Sequence, residues 1–427
     1  MKNNTLFSKD FLLVIIGQII SIFGNQILRY VLPLYLLNLT GSSVLFGTIS
    51  ACAFIPMLVL FPIGGIIADR VNKRNIMVVL DFCTSALVLC FSLLTGKLDI
   101  VPLIAVTMMI LYGIQGAYQP AVKASIPILA GTEHLMQANS IVDVINSFAS
   151  MTGPVIGGLL FTTIGLVPIL YVSIACFFTS AVMEIFIHIP FQKKQRKGNI
   201  FLTGFNDMKD SFGFIFKSQP AICSISLIYG FVSLLLSALF VIAVPVLITQ
   251  MLGFPENTAN RLYGYAQGVI AAGSIVGGLL AGILSKKLKP KAFPYIIIGC
   301  ALSALLSGMA LQMLHLSIAI YVIIVICCSI LMILSTLLQI QMMSYIQILS
   351  PTNLIGKVIS CVICVCMCSA PIGQLIYGFV FEHIGRYTYL PFYAAALIVV
   401  GIAIFSLKVC YNIEHLIENK IQMIDAE

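Results

Sequence analysis

From Phe11 to about Leu39 the chain carries one charged side chain, Arg29, and apolar runs of similar length recur as far as Tyr411. A helix rising 1.5 Å per residue needs about 20 such residues to cross the hydrocarbon of a bilayer. That ruler predicts twelve spans, at roughly 11–38, 44–68, 76–95, 100–123, 140–163, 168–189, 221–250, 262–285, 292–313, 317–346, 357–381 and 389–411. In lipid a segment has to satisfy its own backbone polar groups, so runs of this kind become helices. The expected fold is an all-α membrane protein of twelve transmembrane helices. The first run is too long for the core of a signal peptide and no small-residue cleavage site follows it, so it is read as a retained helix.

Only 9% of residues are charged, against roughly a quarter in soluble domains. The net charge of +8 comes from bases in the short gaps between apolar runs, which does not suit a nucleic-acid surface. With the N-terminus placed inside, nineteen bases fall on the inner side and three, Lys97, Arg261 and Arg386, on the outer. By the positive-inside rule both termini are cytoplasmic and the chain sits in the plasma (inner) membrane. The one sizeable polar segment follows the sixth span, which predicts six-helix halves at 1–190 and 221–411, a cytoplasmic linker at 191–220 and a cytoplasmic tail at 412–427. Within the linker, residues 204–217 mix charges with Phe205, Met208, Phe212 and Phe216. That stretch reads equally as a helix on the membrane surface or as a solvated connection.

Between the second and third spans sits a charged elbow, Gly65-x3-Asp69-Arg70-x2-Lys73-Arg74, with Asp81 one turn into the next run. So short a gap forces an antiparallel hairpin. The sequence also repeats itself. Gly64-Gly65 parallels Gly277-Gly278, Pro33 parallels Pro245, and Pro154 parallels Pro371, each pair 212 to 217 positions apart. Three matches with offsets within five residues of one another, each joining a span to the sixth after it, indicate a duplicated six-helix unit of the parallel-repeat kind.

The elbow pattern resembles the loop signature between helices 2 and 3 of the major facilitator superfamily. Asn72 stands where that family usually has Gly, and Asn tolerates the left-handed backbone angles such a turn uses. Gly17-Gln18, Ser21, Gly24-Asn25, the Asp69-Arg70…Asp81 hairpin, Glu133-His134-Leu135…Ala138-Asn139-Ser140 and Gly153-Pro154…Gly157-Gly158 together resemble the bacterial macrolide-efflux branch of its drug:proton antiporters. The likeness covers most of the first half and, more weakly, the second. It implies export of an amphiphilic small molecule by rocking of the two halves, driven by protons. Gly153, Pro154, Gly157 and Gly158 resemble a shortened antiporter motif, and on their own describe a proline kink with close-packing glycines. The elbow residues Gly65, Asp69, Arg70, Lys73, Arg74 and Asp81 are read as a gating cluster.

Charges inside membrane helices are costly and mark function by default. Arg29 is read either as a cavity cation or as a partner for neighbouring carbonyls. Asn25 lies near the middle of the first span, where many of the relatives it resembles carry Asp, and an amide exchanges no proton. Coupling would then fall to Asp81, Asp143 or Glu184, with Asp143 and Glu184 expected nearer the interface than the centre. A weakly polar substrate cavity is expected from Asn25, Arg29, Gln115, Gln119, Asn146, Gln339, Met343 and Gln374. The same residues serve equally as interhelical hydrogen bonders. Cys361, Cys364, Cys366 and Cys368 have no His beside them and read as packing residues rather than a metal site. No phosphate-binding Gly-x4-Gly-Lys-Ser/Thr sequence and no His pair of metal spacing occur, so neither a nucleotide-driven pump nor an enzyme is expected. No cofactor or metal is expected either. The expected partners are a small-molecule substrate, protons and the bilayer, with a monomeric protein. Transport of an endogenous metabolite, or a non-transporting sensor on the same fold, are the alternatives.

Overall fold

The computed structural model describes residues 9–130, 135–189, 220–284, 290–350 and 355–426. Its elements are twelve helices: α1 (Lys9–Thr40), α2 (Ser43–Arg70), α3 (Lys73–Leu94), α4 (Ile100–Ala130), α5 (Leu135–Ile164), α6 (Leu166–Ile185), α7 (Pro220–Met251), α8 (Glu256–Leu284), α9 (Phe293–Met313), α10 (Ser317–Leu349), α11 (Ile355–His383) and α12 (Leu390–Ala426). Eleven are long and apolar enough to cross a membrane. The twelfth, α11, has 29 residues and stands where the eleventh span is expected. The expected linker at 191–220, apart from Pro220, and Glu133-His134 lie outside the described residues, as do the side chains of Asp69, Arg70, Cys361 and Cys364.

Three ends differ from the sequence reading, each for a local reason. The elbow turns through Val71 and Asn72 alone. Asn72 is not left-handed: its φ is −60°, and its side chain accepts from Arg74 N at 3.1 Å. It is the N-cap of α3, a place where Asn is favoured because it satisfies a free backbone N–H. Helix α6 stops at Ile185 rather than 189. Pro190 disfavours helix at the residue before it, and the His188 N–H goes instead to Asp10 Oδ1 at 3.0 Å. At the far end, the expected tail from 412 continues α12 without a break to Ala426.

Packing divides the chain into two units, Met1–Lys197 with Phe254–Gly268, and Gly198–Gly253 with Val269–Glu427. In the first, α2 and α4 approach until backbone meets backbone. A Cβ on Gly64 would lie 2.6 Å from Ala117 Cα, and one on Gly116 would lie 2.7 Å from Met57 O. A Cβ on Gly153 of α5 would lie 2.7 Å from Gln26 Cβ of α1. The second unit repeats both contacts: a Cβ on Gly277 of α8 would lie 2.7 Å from Ile333 O of α10, and Gly373 of α11 abuts the Leu234 carbonyl of α7. Small residues at these crossings replace the hydrophobic driving force that lipid removes.

The two copies differ at their first helix. Helix α1 carries Pro33 within an unbroken run, whereas α7 contains π-helical turns at Ser233–Ser237 and Leu247–Met251. Such turns leave a carbonyl without its usual partner. In α7 the Leu235 carbonyl takes the hydroxyl of Tyr377 at 2.7 Å.

The α2–α4 contact gives a test. Gly116→Ala has to push aside the Met57 carbonyl and is expected to lower stability by about 1–3 kcal/mol, seen as a lower midpoint of thermal unfolding in detergent. Gly65→Ala meets nothing closer than Pro120 Cβ at 4.0 Å and should be near neutral. Equal effects would mean that helix propensity, not the close approach, decides.

Candidate functional site

Helix α1 sets out Gln18, Ser21, Asn25 and Arg29 at intervals of three or four, hence along one face. Each finds its partner on another helix of the first unit. Gln18 Nε2 donates to Tyr118 Oη at 2.5 Å, and Asn25 Nδ2 to Gln115 Oε1 at 3.1 Å. The Arg29 guanidinium lies 3.8 Å from the centre of the Tyr112 ring, within cation–π range. Tyr112, Gln115 and Tyr118 are themselves three apart on α4, which runs antiparallel to α1, so the two stripes pair along a seam.

At the Gln18 end the seam meets two acids. Ser21 Oγ donates to Asp81 Oδ1 at 3.0 Å, and Tyr118 Oη donates to Glu184 Oε1 at 2.7 Å. Ser180 Oγ donates to the Gly17 carbonyl at 3.0 Å. Helix α6 packs directly on Gly17, where a Cβ would make ordinary contacts of 3.4 Å with Ser180 Oγ and 3.6 Å with Glu184 Cγ. Asp81 is 3% exposed, Tyr118 4%, Gln18 1% and Glu184 0%. Asp81 Oδ2, Glu184 Oε2 and Gln18 Oε1 have no hydrogen-bond partner among the described residues. Below the cluster, Phe11, Ala68, Met77, Val122, Ala138 and Ile187 form an apolar floor on the elbow side.

These positions revise the reading of the acids. Glu184, expected near an interface, is wholly enclosed, packed against Gly17 of α1 and bonded to Tyr118 of α4. Asp81, expected to pair with the elbow bases, turns instead to Ser21. Arg74 Nε is buried without a partner, and among the described residues the ion pair is a distant one, Lys291 to Glu414 at 3.1 Å. Asp143 is exposed. Tyr118, Tyr112 and Ser180 were not singled out from the sequence. The signal was the stripe of polar residues on α1, whose partners had to lie on other helices.

The helix 5 motif has a separate role. Gly157 abuts Tyr30 and Val31 of α1, and a Cβ on Gly158 would lie 3.2 Å from the Asn260 carbonyl, from Gly264 Cα and from Tyr30 Oη. Pro154 presents its carbonyl to Gly264. The opening of α8 seats on this surface: Tyr30 Oη donates to Asn260 O at 3.0 Å, Asn38 Nδ2 to Asn260 Oδ1 at 3.0 Å, and Tyr30 stacks on Tyr263 at 4.9 Å.

The other expected cavity residues are scattered. Asn146 Nδ2 turns back to the Val142 carbonyl at 2.9 Å on its own helix, and Gln119 is half-buried. In the second unit Gln339 is exposed, Met343 half-buried and Gln374 buried with Oε1 unpartnered. A cavity of about 390 Å³ there is lined by Pro220, Ser224, Val409, Asn412 and His415 among others and touches none of them. No group of His, Cys, Asp and Glu among the described residues is arranged to hold a metal.

Comparison with known proteins places this geometry. The family model of the Major Facilitator Superfamily matches residues 14–372. Macrolide efflux protein A of Streptococcus pyogenes is 21% identical over 276 residues, covering 64% of this chain and 66% of that protein, just under two thirds of its length. The MFS-type transporter YfiS of Bacillus subtilis (strain 168) is 23% identical over 276 residues, 64% of each chain. Among solved structures, the nucleoside transporter NupG superposes with a TM-score of 0.71 at 11% identity, over 96% of this chain and 100% of that one. A D-xylose-proton symporter does so with 0.68 at 13%, over 93% and 97%.

Tyr118 is the joint of the buried cluster. Tyr118→Phe removes the donor to Glu184 and the acceptor of Gln18, so stability should fall by about 1–3 kcal/mol. A change within error in the thermal unfolding of the detergent-solubilised protein would mean that the network does not hold these helices together.

Proposed function

This chain belongs to the major facilitator superfamily, and from that premise we propose that it exports hydrophobic or amphiphilic small molecules in exchange for protons. It is a multi-pass membrane transporter; the direction, the substrate and the coupling ion are our reading. The observation that carries the reading is the base-free pair of buried acids, Asp81 joined to the polar face of α1 by Ser21 and Glu184 joined to it through Tyr118 and Gln18. A proton gained or lost at one acid changes the electrostatics of the other. It also changes which hydrogen bonds Tyr118 and Gln18 can make. Similarity to macrolide efflux protein A supports the substrate class.

In this reading the halves 1–190 and 221–411, joined by 191–220 with both termini cytoplasmic, rock about a central site. Asn25, Gln115, Gln119, Asn146, Gln339, Met343 and Gln374 would contact substrate there. The elbow residues Gly65, Asp69, Arg70, Lys73 and Arg74 would gate one side. Gly153, Pro154, Gly157 and Gly158 would gate the other by receiving the opening of α8. Asn25 fits the same assignment: α1 supplies amides, and the exchangeable groups sit on α3 and α6. Arg29 favours a second reading, an endogenous anionic metabolite as cargo, because its half-buried guanidinium is held open against Tyr112 without a carboxylate partner.

Everted membrane vesicles with an acid lumen test both. Addition of a macrolide or an amphiphilic dye should alkalinise the lumen only when the protein is present. Asp81→Asn and Glu184→Gln should each cut that response at least about tenfold, as loss of an essential acid–base group does, and Asp143→Asn should leave it unchanged. Compound movement without proton movement sinks the coupling. Movement of anionic compounds alone selects the metabolite reading.

A further inference from the structure

We infer that the buried cluster of α1, α3, α4 and α6 is a site for two protons, one on Asp81 and one on Glu184, with the Gln18 side-chain carbonyl as a third member that receives a hydrogen bond from them. The inference rests on the transport reading only for its consequence, two protons per cycle, and not for the site itself.

The argument is a count of donors and acceptors. The donors in the cluster are few: Ser21 gives to Asp81 Oδ1, Tyr118 to Glu184 Oε1 and Gln18 Nε2 to Tyr118, while the Ser180 hydroxyl gives to the Gly17 carbonyl and also lies within hydrogen-bonding reach of Asp81. Turned to Asp81, it would still leave Glu184 Oε2 and Gln18 Oε1 bare. Three acceptors are left over, Asp81 Oδ2, Glu184 Oε2 and Gln18 Oε1, all within residues at least nine-tenths buried. Buried polar atoms are nearly always paired, and this cluster lacks donors, not acceptors. A proton on each acid supplies two O–H groups at the very atoms left bare. The Gln18 carbonyl is placed to accept, because the amide nitrogen beside it already bonds to Tyr118, which bonds to Glu184. Reversing the Gln18 amide would offer an N–H in its place, but Tyr118 would then face a carbonyl while its one proton is already given to Glu184.

Charge leads to the same number. Apart from the Tyr118 phenol, the charged groups on the packed helices lie elsewhere. On α1 these are Lys9, Asp10 and Arg29: the Asp10 carboxylate is taken by the His188 N–H, and the Arg29 guanidinium, about two turns beyond Ser21, lies against the Tyr112 ring. On α3 they are Lys73 and Arg74, about two turns before Asp81. On α4 Lys123 is exposed, and beyond α6 so is His188. No ion pair among the described residues involves either acid. Two carboxylates without a base are neutral only with two protons, and an unpaired buried charge is strongly disfavoured. A single sodium ion would leave one negative charge.

Infrared difference spectra of the purified full-length protein, titrated from acid to alkaline pH, read this directly. Two carboxylic-acid C=O bands should disappear as pH rises, with Asp81→Asn removing one and Glu184→Gln the other. Gln18→Leu should keep both bands and shift at least one, since it deletes the carbonyl that accepts from an acid. A single band lost in both variants would mean one shared proton and overturn the inference. Bands that vanish on adding sodium at fixed acid pH would overturn it in favour of a metal cation. A band of Gln18→Leu unshifted from the parent would remove Gln18 from the site. If a variant fails to fold, the pH and sodium titrations of the unsubstituted protein still decide between two protons, one proton and sodium. The readout needs no substrate, so two proton bands together with no drug movement in vesicles would leave this site standing and sink the efflux reading alone.

Discussion

The first unit depends on a match between two helices. Helix α1 carries four polar side chains on one face, inside a segment otherwise apolar enough to cross a membrane. Buried without partners, such groups would cost more than helix association in lipid returns. Three are tolerated because α4 presents Tyr118, Gln115 and Tyr112 at the complementary spacing and in the opposite direction, and the fourth, Ser21, because α3 presents Asp81. The seam therefore fixes the register of α1 against α4 to within one residue. A slip of a single position would rotate the polar stripe by about 100° away from its partners. Apolar contacts alone would not define the register so sharply.

Around that seam the unit is drawn in by glycines, and the duplication shows which of them belong to the scaffold. Gly64 against Ala117 and Gly277 against Ile333 are the same crossing made twice, as are Gly153 against Gln26 and Gly373 against Leu234. What differs between copies is what was free to diverge. The first unit holds the buried acids on α3 and α6. The second has π-helical turns in α7, with the Tyr377 hydroxyl satisfying one exposed carbonyl. Both are departures from plain helix packing and each is supported by a tyrosine from another helix. A membrane interior offers no water to make good such a defect, so it persists only where a neighbouring side chain does.

Twelve apolar runs and a repeat were enough to read the architecture, because segment length in a bilayer is a physical constraint and not a propensity. The ends were less legible. Pro190 was visible but not its effect on α6, and Asn72 was assigned a left-handed turn when its side chain made it a cap. Among the site residues, Asp81 and Glu184 stood out simply as charges in apolar runs. Their company did not. Tyr118 looks like any core aromatic on α4, and Glu184 at a helix end looks interfacial although it is fully buried. Pairings between helices a hundred residues apart, such as Gln18 with Tyr118, leave no periodic trace in either helix alone.

The arrangement also bears on how a proton could be felt by a substrate. Coupling between separated sites requires an element with two arrangements that both sites bias. Under the proposed proton exchange that element would be the polar face of α1. Gln18 and Asn25 lie seven residues apart, about two turns, and both are held to α4. When Glu184 changes its proton, Tyr118 must re-choose between donating to the acid and its other neighbours, and Gln18 follows because it is bonded to that hydroxyl. A helix is too stiff for its Gln18 end to turn without moving Asn25 and Arg29. The contacts Asn25 makes with Gln115, and Arg29 with Tyr112, are then the ones that would shift. In this account the amide at Asn25 is no defect in a proton pathway. It would be the reporting end of one.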